Sequence, residues 1–211
     1  MLITSIKDID KKKKLVYIDY QIGFALYNRE ISVYKIYEGQ EINENTLNQV
    51  SEVLYNRCIN RISYILIRSD KSEHDLREKL RNNYYPDDII EKAVSHYKEY
   101  GYLNDEEYAS NYIQHNIPLK SKRRIYTGLL TRGISKELIE KLMDSFFETP
   151  DNEEYQRKLI EKEFVRKKFD FTNSDSLENK YILNKIISSL VRKGFNYDDI
   201  LSTYYQLKQE C

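Results

Sequence analysis

The sequence is poor in the residues that hold small folds together covalently or through metals. Its 211 residues include two cysteines, three histidines, three prolines and no tryptophan. A disulfide framework or a cysteine–histidine zinc site needs more ligands than Cys58 and Cys211 provide. Both kinds of site are therefore excluded, and a reducing cytoplasm is the expected location. Residues 1–14 lack a signal-peptide core and no apolar run reaches membrane length, so no membrane association is expected.

Motifs of common catalytic chemistry are missing as well. The sequence has no phosphate-binding GxxxxGK[ST] loop, no dinucleotide-binding GxGxxG, no GxSxG nucleophile elbow and no HExxH zinc pair. His74, His96 and His115 fall singly along predicted helices. Neighbouring acids such as Asp87 and Asp88 stand at a predicted helix start, where the helix dipole already favours them. We therefore expect a non-enzymatic protein without a cofactor or metal.

Charge is balanced overall but unevenly distributed. Lys plus Arg and Asp plus Glu each number 34, so the net charge excludes no class of partner. Residues 70–107 hold eleven acidic and six basic side chains, whereas residues 118–136 hold six basic and no acidic ones. This distribution favours an anion-binding surface in the second half of the chain.

One pattern of apolar residues occurs three times along the chain. Its spacing is that of a helix, a tight turn and a second helix, each with an apolar face. The three copies place apolar side chains at Leu76, Leu80, Tyr85, Ile90, Val94 and Tyr97, at Ile125, Leu129, Ile134, Ile139, Met143 and Phe146, and at Ile186, Leu190, Phe195, Ile200, Tyr204 and Leu207. The turn position is Tyr84 in the first copy and Gly133 or Gly194 in the others, and a left-handed helix cap favours glycine. A further apolar helix precedes each copy.

These copies predict a mainly α-helical fold of three tandem three-helix repeats in an elongated, curved array, because two amphipathic helices cannot cover their own apolar faces. Alternating apolar residues from Leu15 to Tyr27, interrupted by Gly23, predict a small N-terminal β-hairpin extension, formed by two short strands as a hairpin or a bulged ribbon. A two-stranded ribbon is marginal alone, so its removal is expected to leave the helices folded. The predicted boundaries are 1–44 for the N-terminal extension and 45–103, 104–150 and 151–211 for the three repeats.

Basic residues cluster in the second and third repeats. Lys122, Arg123 and Arg124 open a predicted helix, where the dipole repels cations, so a partner's phosphates or carboxylates explain them better than helix stability does. For any single residue, a solvated helix face is an equally good explanation, especially near a helix C-terminus. The candidate partner-binding or nucleic-acid-binding residues are Lys120, Lys122, Arg123, Arg124, Arg132, Lys162, Arg166, Lys167, Lys168, Arg192 and Lys193.

Four segments carry a resemblance to a known family. They are SEHDLREKL, the junction YGYLNDEEYA, KSKRRIYTGLLTRGI and LVRKGFNYDDI. Together they resemble the RecX family of recombination regulators over about residues 52–208. The first repeat departs from the family pattern, since residues 83–85 read Asn-Tyr-Tyr where the family turn has a basic residue and glycine. This departure weakens the case for a basic site in the first repeat. Because eleven acidic residues surround Lys71, Arg77 and Lys79, their substitution is expected to matter much less than that of the basic residues in the second repeat.

The resemblance implies a protein that binds the RecA recombinase filament on single-stranded DNA. Proteins of this kind restrain ATP hydrolysis, strand exchange and the cleavage that RecA promotes in the DNA-damage response. A monomer is expected, and the sequence leaves open whether DNA is contacted directly. Two alternatives remain, a DNA-binding regulator whose basic helix 121–132 enters the major groove and a scaffold for another acidic protein.

Overall fold

The computed structural model describes residues 1–148, 150–174 and 176–210. Cys211, and with it the predicted end of the third repeat, lies outside the described residues, as do Thr149 and Asp175. The chain divides into two compact units, Met1–Asn104 and Asp105–Cys211. Within the described residues, the predicted mainly helical fold with a small N-terminal sheet is confirmed. The finer boundaries near residues 44 and 150 stay predictions.

The first unit begins with an antiparallel sheet of three strands in the order β1-β2-β3. The strands are β1 Ile3–Asp8, β2 Lys13–Ile18 and β3 Gln21–Tyr27. The predicted hairpin corresponds to β2 and β3, and β1 is a third strand that the sequence did not predict. β1 was missed because a single short strand of mixed composition gives little periodic signal, and its pairing with β2 is a long-range contact.

The hairpin turn lies before Gly23, and the glycine itself lies at a bulge, one of the two predicted possibilities. The chain reverses at Asp19 and Tyr20, which are left-handed with φ angles of 47° and 66°. Such a pair of positive φ angles is typical of a tight two-residue hairpin turn. Gly23 lies inside β3 instead, beside the place where the register against β2 shifts between Val16 and Tyr17. The glycine therefore marks a bulge and not the break between strands.

The sheet shares a hydrophobic core with the helices of the first unit. These helices are α1 Asn28–Val33, α2 Glu44–Leu66, α3 Glu73–Arg81 and α4 Asp87–Glu99. Val16 and Leu26 of the sheet lie in the same buried cluster as Leu54 and Ile62 of α2. This shared core argues against the expectation that the helices stay folded without the N-terminal strands, because removal of the strands would expose apolar side chains of α2.

Polar contacts of Arg57 add to the apolar contacts between α2 and the sheet. Its guanidinium forms a 3.0 Å ion pair with Glu30 and donates a 2.8 Å hydrogen bond to the backbone carbonyl of Ala25. The next residue, Cys58, is fully buried, and burial raises the pKa of its thiol to about 12. Cys58 is therefore a neutral core residue, as expected for a small apolar side chain on this face of α2.

The second unit contains six helices in its described part. They are α5 Asp105–Asn116, α6 Lys122–Leu130, α7 Lys136–Phe147, α8 Pro150–Arg166, α9 Leu177–Arg192 and α10 Tyr197–Glu210. Their buried residues form two clusters, one from α5 to α7 around Ile125 and Leu129 and one from α8 to α10 around Phe164 and Leu190. The apolar positions of the second and third copies of the pattern thus face buried clusters, as the spacing predicts.

The predicted turn occurs with the same geometry in all three copies. Tyr84, Gly133 and Gly194 have φ angles of 61°, 74° and 87°. The residue after each one donates its backbone N–H to the carbonyl five residues earlier, at N–O distances of 3.3, 3.2 and 3.1 Å. This is the left-handed helix cap that the two glycines indicated. Tyr84 adopts the same conformation although its side chain disfavours it.

A serine begins the helix before each of these turns. The side-chain oxygens of Ser72, Ser121 and Ser176 accept the backbone N–H of the residue three positions later, which caps α3, α6 and α9. Each cap satisfies one backbone donor that the first helical turn leaves unpaired. All three copies of the pattern therefore begin with a serine cap.

Candidate functional site

The basic start of α6 lies against the end of α9. The hydroxyl of Ser121 donates a 2.6 Å hydrogen bond to the backbone carbonyl of Lys193. The guanidinium of Arg124 donates a 3.1 Å hydrogen bond to the carbonyl of Arg192, the neighbouring residue. Both acceptors belong to the C-terminal turn of α9, whose carbonyls have no partner within the helix. The cations of α6 are thus placed beside those of α9.

Gly194 permits this close approach. A Cβ at this position would lie 2.9 Å from the Ser121 hydroxyl and 3.3 Å from the Cβ of Arg123. The first distance is shorter than real Cβ contacts, so any larger residue would push α6 away from α9. The glycine that the sequence pattern assigned to a helix cap therefore also serves the contact between two helices.

An open groove of about 610 Å³ follows from this arrangement, and we call it the α6 groove. Tyr112 of α5, the outer face of α6 and the end of α9 line it. Its charged lining residues are Lys120, Arg123, Arg124, Arg132 and Arg192. No Asp or Glu belongs to its described lining. Five of the eleven predicted residues therefore meet in one concave surface of a single charge sign.

Tyr112 positions two of these cations. The guanidinium carbon of Arg132 lies 4.7 Å from the centre of the Tyr112 ring, and the ammonium of Lys120 lies 5.3 Å from it. Arg132 also donates a 2.7 Å hydrogen bond to the carbonyl of Gly128. A Cβ at Gly128 would overlap the Tyr112 hydroxyl, so this helical glycine makes room for the ring. The ring restricts the two cations before any partner binds.

Sequence reasoning missed both Tyr112 and Gly128 as parts of the site. Tyr112 belongs to the apolar helix that precedes the second copy of the pattern, and only its contacts with Lys120 and Arg132 show a role in the groove. Gly128 offered a signal, since a glycine inside a helical pattern costs stability and often marks a close approach.

The side chain of Lys122 lies outside the α6 groove, unlike those of Arg123 and Arg124. Its backbone N–H donates a 3.1 Å hydrogen bond to the side-chain oxygen of Gln156, and its ammonium lies 5.1 Å from the centre of the Phe147 ring. It lines an adjacent cavity of about 600 Å³ that also contains Asp199. Lys122 is therefore near the α6 groove but does not line it.

Two more predicted residues, Arg166 and Lys193, surround a buried carboxylate. The Glu163 side chain is 3% exposed, and it is bound by the Arg166 guanidinium and, at 2.6 Å, by the Lys193 ammonium. Ser189 donates a 3.0 Å hydrogen bond to the same carboxylate. Burial alone would raise the pKa of Glu163, but these three donors outweigh burial and lower it to about 2. Lys193 and Ser189 thus hold the end of α9 against α8, whereas the pair of Arg166 with Glu163 lies within α8.

The remaining three predicted residues, Lys162, Lys167 and Lys168, are exposed along α8 and just after it. Lys162 lies beside Glu161 and Val165 on an open face, and Lys168 is left-handed with a φ angle of 51°. None of the three belongs to the described lining of the α6 groove. The structure therefore separates the predicted set into a groove, an ion cluster and a solvated helix face.

Two further features are absent from the residues that the structure describes. No three His, Cys, Asp or Glu side chains come together there in a group that could hold a metal ion. None of the helices in that part of the chain combines the length and the apolar character needed to cross a membrane.

Comparisons with known proteins relate this geometry to a family. No family model matches the chain. Regulatory protein RecX of Caldanaerobacter subterraneus subsp. tengcongensis is 34% identical over 189 residues, which are 85% of this chain and 96% of the relative. Regulatory protein RecX of Clostridium perfringens (strain SM101) is 31% identical over 189 residues, with 87% of this chain and 84% of the relative covered.

Solved structures agree with the sequence relatives. A crystal structure of regulatory protein RecX matches 100% of this chain and 99% of its own with a TM-score of 0.59 at 20% identity, which shows the fold. The crystal structure of RecX from Lactobacillus salivarius matches 75% of this chain and 97% of its own with a TM-score of 0.57 at 26% identity. With more than 30% identity to curated relatives over most of both sequences, the chain belongs to the RecX family of regulatory proteins.

Proposed function

We propose that the protein binds the RecA recombinase filament on single-stranded DNA and restrains its ATP hydrolysis, its strand exchange and the cleavage that it promotes. In this proposal the protein acts in the cytoplasm as a monomer, by binding alone and without a cofactor. Membership of a family of regulatory proteins supports a regulatory role. The observation that carries the proposal is the single sign of charge in the α6 groove.

Grouping like charges in one concave surface costs electrostatic free energy. Five cations around one concavity repel one another, and no described acid of the lining offsets the repulsion. A partner that brings anionic groups into the groove removes this repulsion and releases bound counterions. The phosphates of a nucleoprotein filament, or acidic side chains of the recombinase beside them, provide such groups.

The alternative is a regulator that inserts α6 into the major groove of duplex DNA. A recognition helix needs a free face and a free N-terminal end for base contacts. In α6, Ile125 and Leu129 are fully buried, and the N-terminal end is held by the bonds from Ser121 and Arg124 to α9. These contacts favour binding of phosphates along the α6 groove over insertion of the helix between the strands of a duplex.

The test measures ATP hydrolysis by RecA on single-stranded DNA with the parent protein and with an Arg123→Ala/Arg192→Ala variant. The matched control is Lys136→Ala/Lys208→Ala, which removes the same charge from exposed positions of the same unit. We expect the parent and the control to restrain hydrolysis and the groove variant to need about tenfold more protein, with a weaker dependence on salt.

The outcomes separate the function from the site. If the parent protein leaves RecA hydrolysis unchanged, the proposed function is wrong. If the groove variant restrains hydrolysis as well as the control does at every salt concentration, the function stands and its assignment to the α6 groove is wrong.

A further inference from the structure

A second basic groove lies in the first unit, and we call it the α3 groove. It is an open cavity of about 380 Å³ between the end of α2, the following loop and α3. Its charged lining residues are Arg61, Arg68, Lys71 and Lys79. No acidic side chain belongs to its described lining. None of these four cations belongs to the predicted site residues, so the groove lies outside both the predicted site and the proposed function.

The acidic residues of this region are bound elsewhere. Arg77 forms ion pairs of 2.9 and 2.8 Å with Glu73 and Glu91. Arg81 forms ion pairs of 2.9 and 2.8 Å with Glu78 and Asp87. These two arginines therefore engage four of the carboxylates that give residues 70–107 their acidic excess. A count of charges along the sequence describes this stretch as acidic, but none of its acids belongs to the described lining of the groove.

The four groove cations have no acidic partner in the described structure. None of them takes part in an ion pair, and Lys71 donates a 3.2 Å hydrogen bond to a backbone carbonyl, that of Asp70. The helix dipole explains Arg68 and Lys79, which lie close to helix C-termini. It does not explain Lys71, which precedes the start of α3, or Arg61, which lies within α2 more than a turn before its end.

Tyr64 holds two of the cations in place. Its ring is 46% exposed, and the guanidinium carbons of Arg68 and Arg61 lie 4.0 and 5.4 Å from its centre. Stacking on an aromatic ring restricts a guanidinium that would otherwise sample many rotamers. The groove therefore presents oriented planar forks, which fit the oxygens of a phosphate.

The α3 groove and the α6 groove occupy equivalent places in their repeats. When the capping residues Ser72 and Ser121 are superposed in sequence, the lining positions that correspond are Lys71 with Lys120, Lys79 with Gly128, Asn82 with Thr131 and Asn83 with Arg132. A lysine before the cap is common to both grooves. The other cations come from different positions, so helix architecture alone does not dictate the basic character.

We propose that the α3 groove is a second binding site for the phosphodiester backbone of single-stranded nucleic acid. Oriented arginine forks beside an exposed tyrosine ring match the alternating phosphates and bases of a single strand. An acidic peptide would meet the cations but has no planar base for the ring. This inference goes beyond the proposed function, because it assigns direct nucleic-acid contact to the first unit.

Direct binding of a fluorescein-labelled oligothymidylate to the full chain, without recombinase, tests the proposal by fluorescence anisotropy. The α3-groove variant is Lys71→Ala/Lys79→Ala, and the matched control is Lys11→Ala/Lys12→Ala, at two exposed lysines of the first unit. All variants carry Arg123→Ala/Arg192→Ala as well, so that the α6 groove contributes little. We expect the α3-groove variant to bind about tenfold more weakly than the control. Its slope of log K against log salt should be smaller by about 1.4, the value for two lost contacts to a single strand.

Three outcomes would overturn the proposal. The first is equal affinity of the α3-groove variant and the control, with circular dichroism showing that both are folded. The second is an absence of oligothymidylate binding by the unmodified chain, which would leave the recombinase proposal standing. The third is a loss of binding to labelled polyglutamate, but not to oligothymidylate, in the α3-groove variant, which would identify an acidic protein as the ligand.

Discussion

The Ser121 hydroxyl serves two helices at once. It accepts the backbone N–H of Arg124 at 3.4 Å, which caps α6, and it donates to the carbonyl of Lys193 at 2.6 Å, which satisfies the end of α9. The residue is 2% exposed, so water cannot replace either bond easily. The start of the basic helix and the end of its neighbour therefore depend on the same side chain.

Replacement of Ser121 should accordingly be costly. Ser121→Ala removes a cap worth about 1 kcal/mol and leaves the carbonyl of Lys193 without its donor, for a total loss of about 2–3 kcal/mol. Chemical denaturation measures the change. The control is Ser72→Ala, since Ser72 caps α3 through its 3.1 Å bond with the N–H of Asp75, and about 1 kcal/mol is expected there. Equal losses in the two variants would show that the bond to Lys193 contributes nothing.

Replacement of the two turn glycines should also destabilise the fold to different extents. Gly133 and Gly194 both have positive φ angles, so Ala at either position should destabilise the fold by about 1 kcal/mol. Gly194→Ala should cost more, because the new Cβ would lie 2.9 Å from the Ser121 hydroxyl. Thermal and chemical unfolding of both variants would check the order. A smaller loss for Gly194→Ala than for Gly133→Ala would contradict the close contact of α6 with α9.

The buried Glu163 predicts a dependence of stability on pH. Its pKa is about 2 in the folded chain against an ordinary value of 4.5, so its ionised form stabilises the fold above about pH 4.5. This stabilisation, roughly 3 kcal/mol by the size of the shift, is lost as the pH falls from 4.5 through about 2. Glu163→Gln should remove it and flatten that part of the pH profile of the unfolding free energy.

A matched variant on the same helix provides the control. Glu154 pairs with Lys158 at 2.6 Å, but both side chains are about half exposed, so Glu154→Gln should leave the unfolding free energy nearly unchanged. A pH profile that keeps its full slope in Glu163→Gln would show that other carboxyl groups cause the acid sensitivity.

The shared core of the first unit gives a fourth prediction. Leu26 of β3 is fully buried in the cluster that includes α2, so Leu26→Ala should reduce the stability of the helices by about 2–5 kcal/mol. Far-UV circular dichroism at the helical minimum follows the unfolding. The exposed Ile22 of the same strand supplies the control, because Ile22→Ala removes little buried surface. An unchanged helical transition in Leu26→Ala would restore the view that the sheet is a separable extension.

Local chemistry made most of the helical part of this fold predictable. The spacing of Leu76 and Leu80, or of Ile125 and Leu129, indicates a helix face regardless of what packs on it, and these residues are buried. The serine before each helix and the glycine after it act within one turn of the chain. Tyr84 was placed correctly at its turn only because the other copies have glycine there.

The features that escaped prediction depend on contacts between distant residues. Examples are the pairing of β1 with β2, the ion pair of Glu163 with Lys193 and the contact of Tyr112 with Arg132. No local sequence pattern predicts such partners. Charge counts failed for the same reason. Arg77 and Arg81 draw the nearby acids to themselves, which leaves Lys71 and Lys79 in a groove that sequence averages describe as acidic.

The alkylation rate of Cys58 reports how often the core of the first unit opens. Its thiol is fully buried between the sheet and the helices and has a pKa near 12, so it reacts with an alkylating reagent only while the core is open. In a Cys211→Ser background, the rate of its modification therefore measures how often the strands and α2 separate. A ligand that binds in the neighbouring α3 groove and restrains α2 would lower the rate of Cys58 modification. Binding could then be detected without a label on the ligand.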